Sequence, residues 1–241
     1  MKTACVISYC SYQKHFIKPL VKEFTKFVTG EIVVVSFDRF FDGRKEEPLR
    51  SFGEIDLRLK FIEGHPSRYY HNLQRKAGFD VLQGEYDCVY FADGDEIPRG
   101  ELMKDWQSNA EVANYRFASN WYYRDTCYQA LEARDSLALV SIESLKNADW
   151  NSKDEREGFA KYESWRRLTR FNDKIMVDHY GWAGTRSMLL RKVKSWGHNG
   201  DMDWVSMVKE EFKHKFDFKC PFSEYDRFKK VTPPIGFTFN R

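Results

Sequence analysis

Two aspartates stand at Asp93-Gly94-Asp95, directly after the apolar run Cys88 to Ala92. Side chains two apart in a strand share a face, and a chain leaving its pleat can turn both carboxylates toward one point. Two anions that close repel, and one takes up a proton unless a cation lies between them. Hard oxygen donors suit magnesium or manganese, and such a cation could also hold a diphosphate. An EF-hand loop also begins D-x-D, but its fifth and sixth positions would here be Ile97 and Pro98, which do not fit. Asp and Gly are ordinary turn formers too; the buried strand ahead of them argues for more than a turn.

The elements around this motif read as an α/β fold. Residues 4–9 form a continuous apolar run, the mark of a strand buried on both faces. Phe16, Ile17, Leu20, Val21, Phe24, Phe27 and Val28 then recur at helical spacing, with Pro19 early and Gly30 at the end. Residues 31–37 are a second buried strand. Strand, helix, strand is a right-handed crossover, so the two strands run parallel. Both end in polar residues, Ser8-Tyr9 and Ser36 to Asp38, and ligands of open α/β sheets sit at such carboxyl ends. Residues 42–56 read as a loop, 57–62 as a more exposed strand, 67–83 as a helix, 88–92 as a buried strand and 100–107 as a short helix.

The second half changes character. Residues 112–123 and 136–144 look like antiparallel strands. The charged segment 146–161 reads as a mobile loop, with a lid over a ligand as the sharper alternative. Residues 165–182 read as a hairpin turning at Asn172-Asp173. Helices follow near 184–196 and 201–213, and the tail around Pro233 and Pro234 looks irregular. No repeat or linker divides the chain. One domain over 1–241 is expected, with a mostly parallel half (1–110) and a mixed half (111–241).

Composition bounds the function. The chain has 241 residues, 42% hydrophobic and 31% charged, which excludes a disordered tail or a membrane bundle. A chain this long buries roughly 70–75% of its unfolded surface. Its 39 Lys and Arg against 36 Asp and Glu give +3, too mild for a nucleic-acid binder. Cys5, Cys10, Cys88, Cys127 and Cys220 form no CxxC pair and read as reduced, mostly buried thiols. No Asn-x-Ser/Thr sequon, signal peptide or span of about 20 apolar residues is present, so a cytoplasmic protein is expected.

These residues carry a resemblance. Arg75 to Phe79, then Gly84-Glu85-Tyr86, then the strand and Asp93-Gly94-Asp95, resemble the helix, strand and D-x-D of glycosyltransferase family 2. Asp93 through Pro98 also resembles the D-x-D-E-I-P run of family 17. Arg166-Arg167-Leu168 through Asp178-His179-Tyr180-Gly181-Trp182 resembles the Arg-Leu and His segment that closes many such domains. The likeness spans roughly residues 3–200. It implies a GT-A, Rossmann-like fold: a mostly parallel sheet, helices on both faces and a mixed carboxy-terminal half. It implies transfer of a sugar from a nucleotide diphosphate donor, UDP-linked by preference, to a hydroxyl on a glycan, lipid or protein, with inversion.

The resemblance also implies roles. Asp93 and Asp95 would hold Mn2+ or Mg2+, with His179 as a third ligand; a structural histidine beside Trp182 is the competing reading. Ser8, Tyr9 and Asp38 would meet the nucleoside, and Arg75 and Gly94 would lie beside the donor. A bound cation would stabilise charge on the departing phosphate, and a carboxylate would take the acceptor's proton. Asp201 and Asp203 are the candidate bases, against plain helix capping; Glu163 and Asp135 are further options, and His198 is a weaker ligand candidate. Trp106, Trp121, Trp182, Trp196 and Trp204 could face sugar or fill the core. The rivals are a non-catalytic nucleotide-sugar-binding module and a sugar nucleotidyltransferase, the latter disfavoured because Ser8 to Tyr12 lacks glycine. A glycosidase would need a readable carboxylate pair and no metal.

Overall fold

Every residue of Thr3–Ser8 (β1) is buried, as is every residue of Ile32–Phe37 (β2). Between them runs the helix Ile17–Phe24 (α1), shorter than the apolar spacing predicts because the chain relaxes into turns from Thr25 onward. The computed structural model describes residues 1–46, 52, 54–152, 155–221 and 223–239. β2 pairs in parallel with β1 and with Ile55–Leu59 (β3), whose half-exposed pattern suits an outer strand. The chain then returns through Ser67–Asp80 (α2) to Cys88–Asp93 (β4), which pairs in parallel with β1 on its other side.

The remaining elements are Glu96–Pro98 (β5), Gly100–Gln107 (α3), Asn114–Arg124 (β6), Tyr128–Ala130 (β7), Arg134–Ser141 (β8), Ile142–Leu145 (α4), Trp165–Thr169 (β9), Val177–Ala183 (β10), Arg186–Ser195 (α5), Trp204–Glu211 (α6), Lys219–Cys220 (β11) and Ser223–Lys230 (β12). They complete one mixed sheet, ordered β11-β12-β7-β6-β8-β4-β1-β2-β3, with β9, β10 and β5 branching from β6. β8 is antiparallel to both β4 and β6.

Alternation in the central strands divides the core between two faces, as a doubly covered sheet requires. Cys5, Ile7 and Val34 pack with Phe16, Ile17, Leu20 and Phe24 of the α1 side and Met103 and Trp106 of α3. Val6, Val33, Val35, Val89 and Phe91 pack toward Phe79, Leu145 and Phe159. A third cluster joins Trp182, Leu189, Val193 and Val208 under α5 and α6. The α/β class with helices on both faces and a mixed second half is therefore present.

Several sequence expectations change. The predicted hairpin is not one: β9 and β10 both run parallel to β6, one after the other along its length. Asn172 and Asp173 do adopt the positive φ of a tight turn, at 47° and 59°, closed by a Phe171–Lys174 bridge. That turn only puckers the connection, because β6 offers each strand a longer partner. Residues 142–144 leave the strand for α4, capped by the Ser141 hydroxyl accepting from the Ser144 N–H. The segment 146–161 is not a free loop, since Trp150 stacks on Phe79 and Phe159 is fully buried. Within it, residues 153 and 154 lie outside the described residues, as do 47–51 and 53 of the predicted loop 42–56. β12 forms where no strand is expected, pairing antiparallel with β7.

Candidate functional site

β1 and β4 lie side by side, yet β2 and β3 were laid down between them in sequence. The chain builds outward from β1 to β3 and then starts again at β4. The crevice between the carboxyl ends of β1 and β4 is thus a topological switch point, where α/β sheets bind ligands. Ser8 pairs across to Asp93 there, and the Gly94 N–H donates to the Ser8 carbonyl at 2.8 Å. A cavity of about 210 Å³ opens at that place, lined among others by Ser8, Gln13, Asp93, Asp95, His179 and Lys192.

The carboxylates share this cavity but have different partners. Asp93 Oδ1 accepts from Arg75 at 2.8 Å, and Arg156 stands 3.6 Å from Oδ2. Burial alone would raise the Asp93 pKa; the Arg156 charge, then Arg75, overrules it and holds the carboxyl well below the usual range. Asp95, 3% exposed, lies 3.7 Å from His179 Nε2 and 3.5 Å from Lys192 Nζ. Its neighbour Glu96 is wholly buried and receives both guanidinium nitrogens of Arg156, at 2.6 and 2.8 Å. Glu96 also accepts from the Asp93 backbone N–H at 2.9 Å, fixing the bend of the motif.

Three carboxylates thus meet three cations. Two unbalanced aspartates were the reason to expect a metal, and here Arg75, Arg156 and Lys192 supply the balance. Among the described residues, no three His, Cys, Asp or Glu side chains are placed to hold a metal ion. Asp95 and His179 remain as two facing donors, too few to fill the coordination of a divalent cation by themselves. The protein's own donor set does not make the site expected from Asp93, Asp95 and His179 together.

The other expected residues divide. Ser8 lines the cavity, but Tyr9 turns into the core against Phe52, and Asp38 accepts from the Phe61 N–H at 2.8 Å without lining it. Arg75 does not line the cavity either, and reaches it only by holding Asp93. Asp203 caps α6, accepting from the Ser206 N–H at 3.0 Å. Asp201 sits 2.8 Å from His198 Nδ1 and accepts from Arg68 at 3.2 Å; the His198 hydrogen bond first, then the charges of His198 and Arg68, lower its pKa. His198 lines the cavity, whereas Asp201 stands behind it. Asp135 is bound to Arg167 at 2.6 Å, and neither it nor Glu163 lines the cavity. Trp121, Trp182 and Trp196 form part of the wall, Trp204 packs behind Trp182 and Trp196, and Trp106 belongs to the core with Tyr115 and Phe117.

Sequence reading missed Arg156, Lys192, Glu96, Gln13, His71 and Gln74. Lys192 had a signal: with Leu189 and Val193 it falls on the buried face of α5, where an unpaired lysine is costly. Arg156 had none, because its segment reads as solvated. A roomier cavity of about 900 Å³ lies by α1 and α3, but its Arg99 and Asp178 are paired with each other at 3.0 Å. The strand-end cavity is therefore the better candidate.

No protein-family model and no curated protein sequence matches the chain. Among solved structures, S. aureus TarS 1–349 is similar at 14% identity, with 88% of this chain and 72% of that one covered and a TM-score of 0.47. The same protein in complex with UDP-GlcNAc gives 13%, 89%, 74% and 0.47. The catalytic domain of Drosophila beta1,4galactosyltransferase 7, in complex with xylobiose, gives 16%, 91%, 82% and 0.45. Likeness of this degree assigns no activity to the chain.

Proposed function

We propose that the chain is a glycosyltransferase of GT-A type that moves a sugar from a nucleotide diphosphate donor, UDP-linked by preference, to a hydroxyl acceptor. The observation that carries this reading is the polar cavity at the β1–β4 switch point. Carboxylates, buried cations and indole rings from five separated stretches of chain converge there. Buried charge on this scale is expensive for stability alone, so its concentration in a crevice supports a ligand.

In this reading the diphosphate lies at the strand ends and the sugar faces the tryptophan wall. The acceptor oxygen forms a bond to the anomeric carbon as the bond from that carbon to phosphate oxygen breaks. The electron pair leaves with the diphosphate, and single displacement inverts the centre. The acceptor proton passes to a base, for which the His198–Asp201 pair at the rim is the candidate, while Asp203 serves α6. Among the described residues no helix is long and apolar enough to cross a membrane; the reading leaves glycan, lipid and protein acceptors equivalent.

The test is release of nucleoside diphosphate from UDP- and GDP-sugars, with and without manganese, by wild type and Asp95→Ala. The reading expects release by wild type for at least one donor and at least roughly tenfold slower release by the variant, since Asp95 orders Lys192 and His179. Equal rates would overturn catalysis at this site. Binding without release would leave a non-catalytic sugar-nucleotide module.

A further inference from the structure

The chain brings a lysine to the place where the sequence leads one to expect a metal. Lys192 comes from α5 and is 9% exposed, yet it lines the strand-end cavity. It donates to the Gly181 carbonyl and lies 3.5 Å from Asp95 Oδ2. Gly181 permits this approach, because a Cβ there would stand 3.1 Å from Nζ and 2.6 Å from His179 Nε2. The rings of Trp182 and Trp196 flank the nitrogen at 5.8 and 5.6 Å, within reach of a cation–π attraction that keeps it in place.

An ammonium has three protons to donate. Two are met by Gly181 and Asp95, and the third has no acceptor among the described residues. Ser8 and Trp196 also line the cavity, and beneath its surface their Oγ and Nε1 are buried without a partner. Unmet buried donors cost stability, and indole N–H can only donate. An ammonium with a proton to spare, in the wall of a polar cavity, is a receptor for an anion's oxygens.

We propose that Lys192 is the resident cation of this site: it binds the diphosphate of the donor and neutralises the charge that departs. The proposal rests on the transferase reading and names the group that performs its charge-stabilising step. The electron pair of the breaking bond goes to the phosphate oxygen, which Lys192 holds by a charge-assisted hydrogen bond, and the acceptor's proton goes to the base. A divalent metal then adds little to binding.

Calorimetric titration of UDP, GDP and inorganic pyrophosphate into the full chain tests this, first in EDTA and then in manganese, with circular dichroism to confirm folding. Wild type is expected to bind UDP or GDP in EDTA with a Kd within about threefold of the manganese value. Lys192→Met keeps most of the stem and should weaken binding in EDTA roughly ten- to hundredfold, the range for a hydrogen bond to a charged group. Nucleotide binding that requires manganese, or Lys192→Met binding as tightly as wild type, would overturn the proposal and leave the transferase reading standing. Should Lys192→Met fail to fold, the wild-type comparison of EDTA with manganese decides alone. No nucleotide binding in either buffer would overturn the transferase reading itself.

Discussion

Arg156→Met removes the cation that pairs with the fully buried Glu96, and its cost can be worked from the structure. Arg156 gives Glu96 two hydrogen bonds of 2.6 and 2.8 Å, a third to the Phe91 carbonyl at 3.2 Å, and stands 3.6 Å from Asp93. Methionine keeps much of the apolar stem but takes both guanidinium hydrogen bonds from the buried Glu96. Breaking a buried pair from one side costs about 3–5 kcal/mol. For a chain of this size, each kcal/mol moves the melting temperature by about 2–4 °C, so a fall of roughly 6–20 °C is expected. Urea unfolding followed by tryptophan fluorescence gives the free energy directly. Glu96→Gln and the double variant complete a cycle, and the double variant should cost at least about 1 kcal/mol less than the two singles added. A loss below about 1 kcal/mol for Arg156→Met, or strict additivity, would show that this pair does not anchor the site.

Gly78→Ala places a Cβ 2.4 Å from Val6 Cγ1 and 2.9 Å from Val35 Cγ2, where α2 crosses β1 and β2. Overpacking of about 1–3 kcal/mol should outweigh the roughly 1 kcal/mol gained in helix propensity, so the urea midpoint should fall; a rise would refute the close packing. Asp93 has a depressed folded pKa, so its stabilising contribution is complete above the unfolded value of about 3.9 and is lost as pH falls below it. Wild type should therefore lose stability in acid more steeply than Asp93→Asn, and parallel pH curves would contradict the role given to Arg156 and Arg75.

What the sequence revealed followed from local rules. Continuous apolar runs mark β1, β2 and β4 because a strand covered on both faces has no polar side, and the aspartates at the end of β4 could be placed from that alone. Partner choice was not legible. Asn172-Asp173 is a real turn, but a turn does not decide pairing when β6 offers two strands a better neighbour. The same limit hid the charge balance. Lys192 is 97 residues from Asp95, and Arg156 is 60 from Glu96, so the motif looked unbalanced until the fold closed. Asp203 illustrates the reverse case: its position before a predicted helix permitted capping and catalysis alike, and its bond to the Ser206 N–H is the capping bond.

The proposed transferase holds its nucleotide sugar in the crevice between the ends of β1 and β4. A crystal structure of the chain grown with the nucleotide sugar that most raises its melting temperature tests this most directly. The diphosphate is expected beside Ser8, Asp95 and Lys192, with the sugar against the tryptophan wall. A nucleotide seated instead in the cavity by Arg99 and Asp178, with the strand ends empty, would contradict it.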